Sequence, residues 1–226
     1  SVTEAGALIC IAQRDMRNTS TADRIRAKGA KAEIVQCDLR DMEDAKGVFQ
    51  KALDNMDGRI DITVNCGGLL MRKGSVDISQ EEWDSVVDIS LKALFFICQA
   101  AGRHMIPLRQ GKIVNIASLN SFIGGEMVAS NCASKGGVSR LTEALSNEWA
   151  KYKILVNAIA PGSVATDINT DLRADTKQYA ARLASCLAAG WGAPADVAGP
   201  AVFLCSAASQ YVTGEVLVVD GGHLGR

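Results

Sequence analysis

Five short runs in this 226-residue sequence carry the residue types that hold small polar ligands. They are Cys37-Asp38-Leu39, Asn65-Cys66-Gly67-Gly68, Asn115-Ile116-Ala117-Ser118, Asn157-Ala158-Ile159-Ala160-Pro161-Gly162 and Asp220-Gly221-Gly222. Any one of them is ordinary turn chemistry, because Asn, Asp, Gly and Pro mark loops everywhere. Each, however, closes an apolar run, and their regular order makes them a set. Between the third and fourth, Asn131 and Lys135 stand four residues apart, on one face of an expected helix, next to the strand that Ser118 ends. Ser118 and Lys135 could polarise a carbonyl group. An amide such as Asn131 can join them by hydrogen bonding but cannot act as acid or base, having no accessible proton equilibrium near neutrality.

Other chemistries find less support. The seven cysteines are odd in number, form no C-x-x-C pair and sit mostly in apolar stretches, which reads as reduced core thiols. His104 and His223 have no Cys, Asp or Glu cluster at ligand spacing, so no protein-built metal site is expected. The 24 basic and 25 acidic residues are dispersed, with a net charge of −1, which argues against nucleic acid or an anionic membrane as partner. Apolar runs look too short to cross a bilayer, no secretory leader is evident, and a cytoplasmic protein is expected.

The elements that must position these residues alternate. Apolar runs at 7–12, 32–37, 60–65, 112–117, 154–159 and 216–219 read as strands. Helical patterns lie near 21–28, 42–53, 81–104, 132–151 and 196–205, and in the fourth Val138, Leu141, Leu145 and Trp149 form one stripe. No linker, repeat or low-complexity tract intervenes, so residues 1–226 read as one domain. The expected fold is α/β: a doubly wound, Rossmann-like parallel sheet, whose ligands bind beyond the carboxyl ends of the strands. Glu4-Ala5-Gly6-Ala7 reads as a helix end with Gly6 as its left-handed cap. Neither G-x-x-x-G-x-G nor G-x-G-x-x-G spacing occurs in the sequence. The first strand and the Gly-rich turn of such a fold are therefore expected to be missing, leaving one position in mid-sheet vacant or closed by pairing of its neighbours.

With these strand-end motifs in order, the chain resembles a classical short-chain dehydrogenase/reductase. The stretch 113–161, with Asn-Glu-Trp-Ala-Lys and Val-Asn-Ala-Ile-Ala-Pro-Gly, is similar to the family's sugar-acid branch, typified by 2-deoxy-D-gluconate 3-dehydrogenase. The resemblance implies NAD or NADP lying across the strand ends. Asp38 and Leu39 would flank adenine, Asn65, Cys66 and Gly67 would line the ribose path, and Pro161, Gly162, Val164 and Thr166 would hold the nicotinamide carboxamide. Arg14 stands where a cation favours a 2′-phosphate. Of the family's Asn-Ser-Tyr-Lys tetrad, Ser118 and Lys135 match. Counting thirteen residues on from Ser118 and four back from Lys135 both give Asn131 at the Tyr position, and Ser90 falls at the Asn position. The sugar-acid branch's Pro-x-Gly-Arg-Trp-Gly is here Leu187-Ala188-Ala189-Gly190-Trp191-Gly192, without the arginine that would clamp a carboxylate.

The expected activity is nicotinamide-dependent carbonyl/alcohol interconversion on a small molecule, impaired by Asn131 and Ser90. Two other readings stay open: a catalytically inactive ligand-binding or scaffold protein, and a non-redox lyase or isomerase on the same fold. Apolar residues on more than one face of the helices at 81–104 and 132–151, including Phe95, Phe96 and Trp149, point to a homo-oligomer, a dimer or tetramer.

Overall fold

The computed structural model describes residues 6–174 and 190–225. Six parallel strands form, each short, branched and apolar: β1 Ile9–Gln13, β2 Ala32–Gln36, β3 Ile62–Asn65, β4 Gly111–Ile116, β5 Ile154–Pro161 and β6 Val216–Val219. They alternate with helices α1 Ser20–Arg26, α2 Met42–Asn55, α3 Gln80–Val87, α4 Ala93–Leu108, α5 Ala129–Trp149, α6 Thr170–Ala174 and α7 Pro194–Cys205. Among the described residues, the sequence periods therefore identified each strand and each long helix, with ends displaced by up to a few residues.

The strands fall into two groups. β1 pairs with β2, and β3-β4-β5-β6 make a four-stranded sheet. β1 and β3 do not pair with one another, so the closure considered from sequence is not the arrangement found. One helical layer joins the groups: α2 packs on β1 and β2 and also against α4, which lies on β3, β4 and β5. Side chains in the four-stranded sheet alternate between two cores, as the strand period of two requires. Ile113, Val156 and Ala158 face Leu94, Cys98 and Met105 of α4 and Val138, Leu145 and Trp149 of α5. Val114 and Ile159 face Leu204 and Cys205 of α7 on the opposite side. Helices on both faces of a parallel sheet make the fold doubly wound.

α3 and α4 are continuous through a single π-helical turn, Asp88–Lys92. The run Gln80–Leu108 is 29 residues long and, by length and composition alone, could cross a bilayer. This corrects the sequence expectation that the apolar runs are too short to cross a bilayer. Its buried residues Val86, Ser90, Ala93, Leu94, Cys98, Ala101 and Met105 recur at helical spacing, and Leu94, Cys98, Ala101 and Met105 pack into the core over the sheet. That burial accounts for its apolar character. Trp149 is buried with Val138 and Leu145 of its stripe and so gives no support to an exposed second face on α5. It belongs to the core, with its ring against Gly102, where an added Cβ would come within 2.8 Å of it.

Candidate active site

β4 delivers Ser118 two residues past its end, and the first turns of α5 present Asn131 and Lys135 beside it. Lys135 Nζ reaches back to donate to the Ile116 carbonyl at 2.5 Å. The Lys135 carbonyl accepts from Ser121 Oγ at 2.7 Å, which ties the helix to the turn after β4. Ser118 Oγ accepts from the Asn120 backbone N–H at 3.2 Å, and Asn120 Nδ2 donates to Asn131 Oδ1 at 2.7 Å. Ser118, Asn131 and Lys135 thus converge, joined through Asn120 and the backbone of Ile116. Asn120 was not singled out from sequence. The available signal was an amide two residues after Ser118 in the same strand-end turn.

Burial holds Lys135 below its ordinary range, at about 8, with a small opposing influence from Cys66. Among the described residues no carboxylate pairs with it. Ser90, fully buried in the π turn, accepts from Leu69 N–H at 3.0 Å and donates to the Leu69 carbonyl at 3.3 Å. It fixes the loop after β3 instead of bonding Lys135. Both groups nevertheless flank one point: a Cβ on Gly68 would lie 3.7 Å from Lys135 Nζ and 3.7 Å from Ser90 Oγ. π turns recur at functional positions in helices, and the sequence periodicity gave no sign of this one.

The other expected residues line the same end of the sheet, with some side chains committed elsewhere. Arg14 follows β1, exposed, and among the described residues forms no ion pair. Asp38 follows β2, with its carboxylate held by Arg40 and pushed down to about 2 by that hydrogen-bonded guanidinium. Leu39 packs against Gly67, where a Cβ would meet Leu39 Cδ1 at 2.4 Å. Cys66 and Gly67 are exposed, but the Asn65 side chain turns inward. Its Nδ2 donates to Asn115 Oδ1 at 2.9 Å and approaches Cys98 Sγ at 3.3 Å, and Asn115 Nδ2 continues to Thr142 Oγ1 at 3.0 Å. This buried polar chain stitches β3 and β4 to α5. Pro161 ends β5, and Gly162 lies so close to the Asp220 backbone that a Cβ would stand 2.6 Å from its Cα. Val164 bridges to Gly192, and Thr166 opens a short turn whose Asn169 caps back to the Thr166 N–H at 3.2 Å. Of the expected carboxylate-loop sequence, residues 187–189 lie outside the described residues.

A family model described as enoyl-(acyl carrier protein) reductase, of the short-chain dehydrogenase/reductase type, matches residues 1–223. The chain belongs to the short-chain dehydrogenase/reductase family. It is 44% identical over 209 residues to a 2-dehydro-3-deoxy-D-gluconate 5-dehydrogenase of Escherichia coli (strain K12), spanning 92% of this chain and 82% of that protein. The gluconate 5-dehydrogenase of Gluconobacter oxydans is 36% identical over 219 residues, spanning 96% and 85%. Among solved structures, a gluconate 5-dehydrogenase from Burkholderia cenocepacia in complex with NADP and tartrate superposes with a TM-score of 0.94 at 33% identity. That match covers 100% of this chain and 88% of the other. The family's oxidoreductase character and Rossmann-like fold accord with the resemblance read from the sequence.

Proposed function

We propose that this chain is an NADP-dependent oxidoreductase of the sugar-acid type, interconverting a carbonyl and a secondary alcohol, with turnover limited by the amide at residue 131. The observation carrying this reading is the convergence of Ser118, Asn131 and Lys135 at the end of β4. The residues fit a nicotinamide dinucleotide at its two ends. Arg14, near enough to Asp15 and Asp38 to favour their charged forms, makes no ion pair among the described residues, while Asp38 is paired with Arg40, a balance that favours a 2′-phosphate at the adenosine end. Leu39, Cys66 and Gly67 would form the wall beside adenine and ribose. Pro161, Gly162, Val164 and Thr166 would meet the nicotinamide. The phosphate-cradling glycine spacing is not in the 226 residues, so the diphosphate draws no proposed contact.

When bound, the cofactor supplies or accepts the hydride. The chain's own residues handle the oxygen. Ser118 and Asn131 donate hydrogen bonds to it and disperse its growing negative charge. Neither gives up a proton near neutral pH, and losing a positioned acid–base group typically costs about 10²–10⁴ in rate. In this reading Asn131 stands where the family has tyrosine, and Ser90 where it has asparagine.

The test is fluorescence titration with NADPH and NADH, followed by NADPH consumption with a panel of keto sugar acids. Tight NADPH binding with slow, saturable turnover is expected. NADPH binding with no turnover on any substrate would favour a ligand-binding or scaffold role, which the same Asn131 and Ser90 support. Absence of nicotinamide binding would overturn the proposal.

A further inference from the structure

The amine of Lys135 has surroundings that its part in a hydride-transfer site does not require. Its stem is buried, it has no carboxylate partner among the described residues, and its one hydrogen bond runs to a backbone carbonyl. Gly68 is exposed, and even a Cβ there would stand at van der Waals distance from the nitrogen. Two hydroxyl groups, Ser90 Oγ and Ser118 Oγ, and the Asn131 amide lie on the elements that surround it. Residue 131, one helical turn before the lysine, is an amide and not a phenol.

We propose that Lys135 captures a small hydroxylated ketone or aldehyde as an imine, giving this site a carbonyl chemistry that needs no nicotinamide. The donors around the amine are neutral, which suits a hydroxy ketone better than a keto acid. In the first step the nitrogen lone pair attacks the carbonyl carbon, and the carbon–oxygen π pair moves to oxygen. That oxygen gains a proton from solvent as the nitrogen loses one, and departure of water leaves the carbon–nitrogen double bond. Nothing is oxidised or reduced. The imine then acidifies the adjacent carbon–hydrogen bond, the entry to isomerase or lyase chemistry. Burial, which keeps this amine near 8, leaves far more of it unprotonated near neutral pH than of an ordinary surface lysine.

The inference takes from the redox reading only that a small carbonyl compound enters the site, and its test contains no nicotinamide, so either can fail alone. The full chain is incubated with dihydroxyacetone and sodium cyanoborohydride at pH 7.5, and adducts are located by peptide mass mapping. We expect one saturable adduct, on Lys135, forming at least roughly tenfold faster than on any exposed lysine, and its loss in Lys135→Arg. Prior unfolding of the unmodified chain should abolish the preference, which keeps the result readable if the variant does not fold. Adducts confined to the exposed lysines, with Lys135 unmodified in the folded protein, would overturn the proposal.

Discussion

Asn120 Nδ2 donates to Asn131 Oδ1 at 2.7 Å, so the amide at residue 131 has its acceptor end committed. Its Nδ2 is the end that a bound carbonyl would meet. The site can therefore polarise an oxygen from Asn131 and Ser118 together, although neither of those two groups exchanges a proton near neutrality. The same Asn120 donates its backbone N–H to Ser118 Oγ. One residue thus sets both hydrogen-bonding groups relative to each other.

This arrangement predicts the effect of restoring a phenol. Asn131→Tyr should raise NADPH-dependent turnover of a keto sugar acid by about 10²–10⁴, the worth of a positioned acid–base group. Lys135, four residues on and near 8, would stabilise the phenolate. Unchanged kcat in a variant that still binds NADPH would show that proton transfer does not limit the reaction.

Arg14 should govern cofactor choice. A hydrogen bond to a charged group contributes about 1.5–3 kcal/mol. Arg14→Gln should therefore weaken NADPH binding roughly 10- to 100-fold while changing NADH binding little. Equal losses for both cofactors, measured by fluorescence titration, would remove Arg14 from the 2′-phosphate.

Lys135 also makes stability depend on pH. Its folded value, about 8, lies below the ordinary 10.5. Between those limits the unfolded chain holds a proton that the folded chain does not, so stability rises with pH by up to about 3 kcal/mol across the window. Buried thiols oppose this from pH 9.0 upward, because Cys37 is pushed up to about 11 and Cys98 to about 12, chiefly by burial. Unfolding free energy should rise from pH 8 to 9 in the unmodified chain and flatten in Lys135→Met. Parallel curves for the two proteins would mean that Lys135 is not the group responsible.

The sequence made the architecture legible because period and turn chemistry act locally. The Val138–Trp149 stripe lies where a 3.6-residue repeat puts it, and the strand-end motifs cluster because parallel strands bring their carboxyl ends to one edge. What it hid depends on contacts between distant segments. The inward turn of Asn65 is decided by Asn115, fifty residues away. The π turn around Ser90 leaves no mark in hydropathy, and the short Asp38–Arg40 pairing was overlooked because strand-end carboxylates were read only as ligand contacts.

The buried chain Asn65–Asn115–Thr142 should be important to stability. Asn115→Ala removes the acceptor from Asn65 Nδ2 and the donor to Thr142 Oγ1, although Thr142 keeps its bond to the Val138 carbonyl at 2.8 Å. A buried polar group deprived of its partner costs roughly 1–3 kcal/mol. Urea unfolding should show a midpoint lowered accordingly, with little change in slope. A loss below about 0.5 kcal/mol would indicate that the gap is readily refilled by water.

The outer faces of α4 and α5 give the last prediction. Leu91, Phe95, Leu141 and Ala144 line an open, largely apolar groove of about 540 Å³. Gly137 lies at its base, where a Cβ would meet Leu91 Cδ2 at 2.7 Å, so the two helical segments approach closely. Arg140 and Lys92 stand at the rim. An apolar patch with a polar rim is the usual form of a surface that meets another protein, and a two-fold pairing would lay this face on its own copy. Sedimentation should give a dimer or tetramer for the unmodified chain. Phe95→Glu, at a half-buried position beside Phe96, should shift it toward monomer by placing like charges across the two-fold axis. A monomeric unmodified chain at micromolar concentration would exclude the pairing, and an oligomer indifferent to Phe95→Glu would place the interface elsewhere.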